Sequence, residues 1–266
     1  MIGAIIGDIV GSRFEWDNIK TKKFRLFTEQ CKFTDDSVMT LAIAKAIMDC
    51  NGDLELLADQ AVHCMQELGR RYPHCGFGGR FRVWVREDDP QPYGSWGNGA
   101  AMRVSPVAWA ARSMDECIAM SEAVTSVTHN HPEGIKGANA IAAAAYLALH
   151  GATKDEIKTH IEATYGYDLS FTLDSIRDAY TFDVSCMGTV PPAIVAFLES
   201  TDFVDAIRNA ISIGGDSDTL AACTGAIAEA FYGIPALTRD YAETYLDSRL
   251  DAILTEFEQA FPPKVI

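Results

Sequence analysis

The chain has 266 residues, 48% of them apolar, with 22 Lys and Arg set against 37 Asp and Glu for a formal charge of -15. That length buries a full core without disulfide or metal staples, and the composition is that of an ordinary soluble globule. A field of this sign repels nucleic-acid phosphates and anionic lipid, so neither is an expected partner, except that a nucleic acid carrying a modification remains open as an acceptor.

From the N-terminus, Met1-Ile2-Gly3-Ala4-Ile5-Ile6-Gly7 runs straight into Asp8, with no basic leader and no apolar run of export length. Seven scattered cysteines without a C-x-x-C pair suit reduced thiols and exclude a zinc ribbon, so a cytoplasmic location is expected. Gly7-Asp8-Ile9-Val10-Gly11-Ser12-Arg13-Phe14-Glu15 forms an acidic segment whose glycines permit close backbone contacts. Phe33-Thr34-Asp35-Asp36 opens the first strong helix, capped by Thr34 or Asp35 and followed by apolar Val38, Leu41, Ala42, Ile43 and Ile47. Residues 54–68 predict a second helix that stops at Gly69, with Arg70 and Arg71 beside it. Residues 73–99 are rich in Gly and Pro and read as one long irregular stretch, a length that usually signals function.

Further helices are predicted near 100–112, 115–128, 134–150 and 154–164. Another starts at Pro191-Pro192, two run near 203–212 and 217–231, and a last one near 238–259. The apolar run 140–149 is shorter than the roughly 20 residues of a membrane span. Alternating β-branched runs are nearly absent and no repeat or composition break divides the chain. The sequence therefore reads as a single all-α domain over 1–266.

Two segments carry the chemistry. Thr34-Asp35-Asp36-Ser37 and Gly214-Gly215-Asp216-Ser217-Asp218-Thr219 each place two carboxylates and a threonine at a predicted helix start. N-capping explains one oxygen per helix, but each segment supplies several. Adjacent carboxylates repel, and burying them together is costly without a cation. Hard oxygen donors suit magnesium, manganese or calcium over zinc, and two such clusters brought together can hold two ions. Gly214-Gly215 suits a sharp bend, and Glu15 can reach the same place.

Gly94-Ser95-Trp96-Gly97-Asn98-Gly99 leads into Ala100-Ala101-Met102-Arg103. Backbone amides of such a turn cradle phosphate oxygens. The spacing is neither that of a P-loop nor, without a preceding strand, that of a dinucleotide fingerprint. Trp96 is open to a core reading and Arg103 to a structural ion pair. Thr128-His129-Asn130-His131-Pro132 holds two histidines but no third ligand at zinc spacing. A diphosphate ligand conflicts with the charge of the chain unless cations locally reverse the sign, which again favours metal.

Taken together and in this order, the segments 7–15, 33–37, 94–103, 128–132 and 212–219 resemble the ADP-ribosylglycohydrolase family, with matches running from residue 3 to about residue 233. The resemblance implies a compact orthogonal helical bundle of that family's type, and an enzyme that hydrolyses the bond between ADP-ribose and an acceptor. It implies two Mg2+ ions, with Mn2+ as a substitute. Thr34, Asp35 and Asp36 are the implied ligands of one ion and Asp216, Asp218 and Thr219 of the other, one aspartate bridging. Ser95, Gly97, Asn98, Gly99 and His129 are the implied ligand-binding residues. The candidate catalytic residues are Glu15, Asp36, Asp216 and Asp218, and the general base is open among Glu15, Asp216 and Asp218. The substrate is an ADP-ribosylated protein or small molecule, with ADP-ribose as product. Rival readings are a non-catalytic ADP-ribose reader, a two-metal hydrolase of another ribosyl or phosphate substrate, and a structural relative that keeps only the fold. Ser37 and Ser217 stand where threonine is common in the family, and residues 75–92 match nothing, so a distinct rim is expected there.

Overall fold

A computed structural model describes residues 1–262. In chain order its helices are α1 Ile2–Gly11, α2 Asp35–Asp49, α3 Leu57–Arg71, α4 Gly79–Trp84, α5 Ser105–Ala110, α6 Met114–Ser126 and α7 Pro132–Leu149, followed by α8 Lys154–Tyr165, α9 Leu173–Ile176, α10 Cys186–Leu198, α11 Phe203–Ile211, α12 Ser217–Tyr232, α13 Ala236–Glu243 and α14 Ser248–Ala260. Among the described residues no strand forms, and an isolated bridge joins Gly97 to Ser185, so the all-α expectation holds. No helix among the described residues is long and apolar enough to cross a membrane.

Helix α1 escaped the sequence reading for a physical reason. All ten of its residues are buried, so it has no polar face and no amphipathic period. Its glycines recur every fourth residue and lie against α12. A Cβ on Gly7 would fall 2.0 Å from the carbonyl oxygen of Ala221, and one on Gly11 would fall 2.5 Å from the Cα of Asp218. The two backbones approach as closely as they do because no side chain separates them. Helix α12 packs in turn against α7, α10 and α11, and nearly all of it is buried.

Several boundaries differ from expectation. Helix α3 runs through Gly69 to Arg71, because Gly69 is packed where a Cβ would meet Val85 at 2.4 Å. Helix α10 begins at Cys186, capped by the Ser185 hydroxyl, and both prolines lie inside it. Pro192 cannot donate to the Gly188 carbonyl, and the Tyr180 hydroxyl donates to that oxygen instead at 2.9 Å. The last predicted helix divides into α13 and α14, because Asp247 caps a new start by accepting from Arg249 and Leu250. Within the irregular stretch, α4 and a 3-10 turn at Asn98–Ala100 form short helices. The seven cysteines are all unpaired.

Candidate active site

Helix α2 starts where α1 ends its approach to α12. The fully buried carboxylate of Asp8 accepts the amide and hydroxyl of Thr34 at 2.8 and 2.6 Å, the Ser37 amide at 3.0 Å, and the Ser37 hydroxyl. The turn that presents Asp35 and Asp36 is thus bolted to α1 by one side chain. The Thr34 hydroxyl spends its proton on Asp8 and keeps a lone pair free, and the Asp36 amide caps onto it at 3.4 Å.

The second cluster is positioned from the same end of the chain. Gly214 and Gly215 both take left-handed backbone, with φ of 69° and 78°, which makes the expected bend. Asn18 clamps that bend: its amide donates to the Gly215 carbonyl at 2.8 Å, and its oxygen accepts the Gly215 amide at 2.8 Å. Lys20 adds a bond to the Ile213 carbonyl at 2.6 Å. Neither residue announced itself in the sequence.

The two clusters meet. The Thr219 hydroxyl donates to Asp36 at 3.3 Å across 183 residues of sequence. Ligand oxygens of Asp8, Asp36 and Asp218 lie within 4.8 Å of one another, as do those of Glu15, Asp216 and Asp218. Asp218 belongs to both trios, the position a bridging carboxylate needs. Asp35 belongs to neither: its carboxylate rests against Gly76, where a Cβ would come within 2.5 Å of it. Asp35 nevertheless lines the same cavity, whereas Asp8 joins the first trio with both its oxygens already taken up by Thr34 and Ser37, so it holds the α2 start in place. The signal for it was available as a lone aspartate inside an otherwise apolar run.

This arrangement is electrostatically unfavourable as it stands. Burial, and then the neighbouring charges of Asp8 and Asp216 respectively, raise the Asp36 and Asp218 carboxyls well above the usual carboxylate range. Burial and the Asp8 charge push Asp35 up to about 8, while burial and the Asp216 charge push Glu15 up to about 7. Among the described residues no lysine, arginine or histidine pairs with any of these carboxylates. The Asp36 Oδ1 atom is buried without any hydrogen-bond partner. An orphaned carboxylate oxygen amid hard oxygen donors is the environment a divalent hard cation satisfies, so the residues present fit such an ion.

The carboxylates form one wall of a cavity of about 510 Å3. The glycine-rich loop also lines it, with Ser95, Gly97, Asn98 and Gly99, as do Arg103 and His129. Asn98 ties the loop to the carboxylates, donating to Asp216 at 2.7 Å and to Thr189 at 3.1 Å. Every residue named from sequence as a site residue lines this cavity except Thr34, which lies buried behind Asp36. Two of the open alternatives resolve differently. Trp96 is not core but half exposed, edge-on to His131 at 5.2 Å. Arg103 is fully buried yet makes no ion pair among the described residues, and its Nη2 donates to Thr128 at 2.6 Å. The rim that matched nothing in sequence is built from Gly76, Phe77 and the arginines of α4, Arg80 and Arg82. Trp16, 80% exposed, and Phe182, stacked with centroids 5.0 Å apart, line the same cavity.

The ADP-ribosylglycohydrolase family profile matches residues 1–263. An ADP-ribosylarginine hydrolase, Tri1 of Pseudomonas putida (strain GB-1), is 28% identical over 91% of this chain and 72% of its own. The ADP-ribosylhydrolase ARH3 of Homo sapiens is 25% identical over 92% of this chain and 87% of its own. A solved structure described as an ADP-ribosylglycohydrolase-related protein complex superposes with a TM-score of 0.69 at 22% identity, covering 97% of this chain and 95% of that one. The chain belongs to the ADP-ribosylglycohydrolase family.

Proposed function

We propose that the chain is a magnesium-dependent hydrolase that cleaves the glycosidic bond between ADP-ribose and an acceptor, reversing ADP-ribosylation of a protein or small molecule. The observation that carries this reading is the meeting of the 34–36 and 216–219 clusters with a glycine-rich loop in one cavity. Names of relatives that act on ADP-ribosylated substrates support it.

Thr34, Asp35, Asp36, Asp216, Asp218 and Thr219 are the residues that would hold two magnesium ions, or manganese in their place. Bound there, such ions would supply Lewis acidity toward ribose hydroxyls and a water of lowered pKa. The remaining work falls to the chain itself. Asp8 fixes the direction of the α2 start, and Asn98 holds Asp216 by a charge-assisted bond. The loop 94–99 and His129 seat the diphosphate and ribose, which orients the scissile bond toward the carboxylates. The negative field of the carboxylates stabilises positive charge developing on the ribose ring. Glu15 stands at the half-buried edge of the cluster, beside Asp216 and Asp218, where a carboxylate can accept a proton from a water. A non-catalytic reader has no use for this many buried carboxylates.

The test is release of free ADP-ribose from a panel of ADP-ribosylated arginine, serine, nucleobase and small-molecule acceptors, with magnesium and with chelator. Turnover of at least one acceptor in magnesium, abolished by chelator, is expected. Binding of ADP-ribose without turnover of any acceptor would return the chain to the class of readers.

A further inference from the structure

Arg103, Thr128 and His129 form a chain of hydrogen bonds that the proposed reaction does not require for metal binding. Arg103 Nη2 donates to the Thr128 hydroxyl oxygen at 2.6 Å. That oxygen lies 2.7 Å from His129 Nδ1 and 3.4 Å from the Thr125 carbonyl. All three side chains are buried, and among the described residues the Arg103 guanidinium has no carboxylate partner. A hydroxyl has one proton to give. With a guanidinium occupying one of its lone pairs, Thr128 becomes the better donor, and the short contact to Nδ1 is the one its proton serves. The imidazole then carries its proton on Nε2.

We propose that Arg103 and Thr128 are positioning residues that lock His129 as the neutral Nε2–H tautomer, so that the ring offers a donor, never an acceptor, to the oxygens of an anionic ligand held by the glycine loop. This rests on the ADP-ribose reading and deepens it. Nε2 is the edge that faces the loop: a Cβ on Gly99 or Gly97 would come within 3.3 or 3.6 Å of it. The opposite tautomer would aim a lone pair at phosphate or ribose oxygens and repel them. An imidazolium is disfavoured as well, since Nδ1–H would have to donate to an oxygen that already accepts from a cation. Burial, with the Arg103 charge, lowers the basicity of His129 in the same sense. The other ring facing it is Tyr93, with centroids 5.8 Å apart. Arg103 itself lines the cavity, and its Nε has no partner.

The test uses the full magnesium-loaded chain, with histidine 15N spectra and calorimetric titration of ADP-ribose on wild type, Thr128→Val and Thr128→Ser. Wild-type His129 is expected to show a single Nε2–H tautomer from about pH 5.5 to about pH 8. Thr128→Val is expected to give mixed tautomers and about tenfold weaker ADP-ribose binding, the loss of one well-made hydrogen bond. Thr128→Ser restores both, which a merely structural role for the threonine methyl would not do. Wild-type His129 found as Nδ1–H or as imidazolium overturns the proposal, and so does an unchanged tautomer in Thr128→Val. Should that variant fail to fold, the wild-type spectrum and Thr128→Ser decide. A wild type that shows the Nε2–H tautomer but binds no ADP-ribose keeps the lock and overturns the ADP-ribose reading instead.

Discussion

Asp8 grips Thr34 twice, accepting its amide at 2.8 Å and its hydroxyl at 2.6 Å. The donors come from the start of α2 and the acceptor from the last turns of α1, so one carboxylate fixes how the two helices present their acidic residues to each other. Asp8→Asn keeps the shape but replaces one acceptor oxygen by a donor that faces the Thr34 and Ser37 donors. Magnesium affinity and kcat/KM are both expected to fall about 10- to 100-fold, the usual cost of losing a residue that orients metal ligands. Calorimetric titration of the ion on the variant checks this. Wild-type affinity would mean that the α2 start holds its geometry without Asp8.

Asn98 ties the glycine-rich loop to Asp216. Asn98→Ala leaves the buried oxygens of Asp216 and Thr189 without the donor that each now has. A buried acceptor stripped of its donor costs about 1–3 kcal/mol, so the variant is expected to unfold at lower denaturant by that amount in the metal-free state. Turnover is expected to fall by tenfold or more, because Asp216 becomes free to turn away from the substrate. Chemical denaturation and steady-state kinetics on the same preparation separate the two effects. Loss of stability with unchanged turnover would show that Asp216 is held by something other than Asn98.

The site was largely legible in the sequence, because carboxylates crowded at helix starts and glycines at required bends are local signals. Gly214 and Gly215 adopt the backbone that their identity suggests. What escaped was set by tertiary contact. Helix α1 is buried on every side and so shows no periodicity, and Asp8 within it reads as an oddity until Thr34 and Ser37 are seen to surround it. Gly69 carries the signature of a helix stop, yet packing against Val85 carries the helix past it. Pro191 and Pro192 mark a helix start in sequence, and only the Tyr180 hydroxyl, from the segment before α10, shows how one of them is tolerated inside a helix. Asn18 and Lys20 act through backbone groups nearly 200 residues away, which no local pattern records.

The pH dependence of stability follows from the raised carboxyls. A carboxyl whose folded-state pKa lies above its unfolded value binds its proton more tightly in the folded protein. Its contribution is fully present below the unfolded pKa and is lost as pH rises through the folded one. Asp35, pushed up to about 8, and Glu15, up to about 7, set the window, with Asp36 and Asp218 raised in the same sense. Metal-free protein is therefore expected to lose melting temperature between about pH 4 and about pH 8. A divalent ion competes with those protons, so the stabilisation by magnesium is expected to grow over the same range. Thermal melts with magnesium and with chelator at several pH values measure it. A magnesium effect larger at pH 5 than at pH 8 would contradict the assignment of these carboxylates as ligands.

The contact between α1 and α12 can be tested without reference to activity. A methyl group at Gly7 would lie 2.0 Å from the Ala221 carbonyl oxygen and 2.6 Å from the Ala222 amide nitrogen, both backbone atoms of a buried helix. Neither atom can step aside as a side-chain end would, so the helices must separate. Gly7→Ala is expected to destabilise by about 1–3 kcal/mol, the range for an overpacked core, despite the better helix propensity of alanine. Because Asp8 rides on the same helix, separation also pulls it from Thr34, and metal affinity should fall with stability. Gly79→Ala is the matched control: a methyl there meets nothing within 4 Å, and Gly79 is the first residue of α4. It should be neutral or gain up to about 1 kcal/mol through the unfolded state. Denaturant midpoints of the two variants, each with and without magnesium, read out the comparison. Equal stability of Gly7→Ala and wild type would mean that the close approach of α1 to α12 is not what brings Asp8 to the acidic cluster.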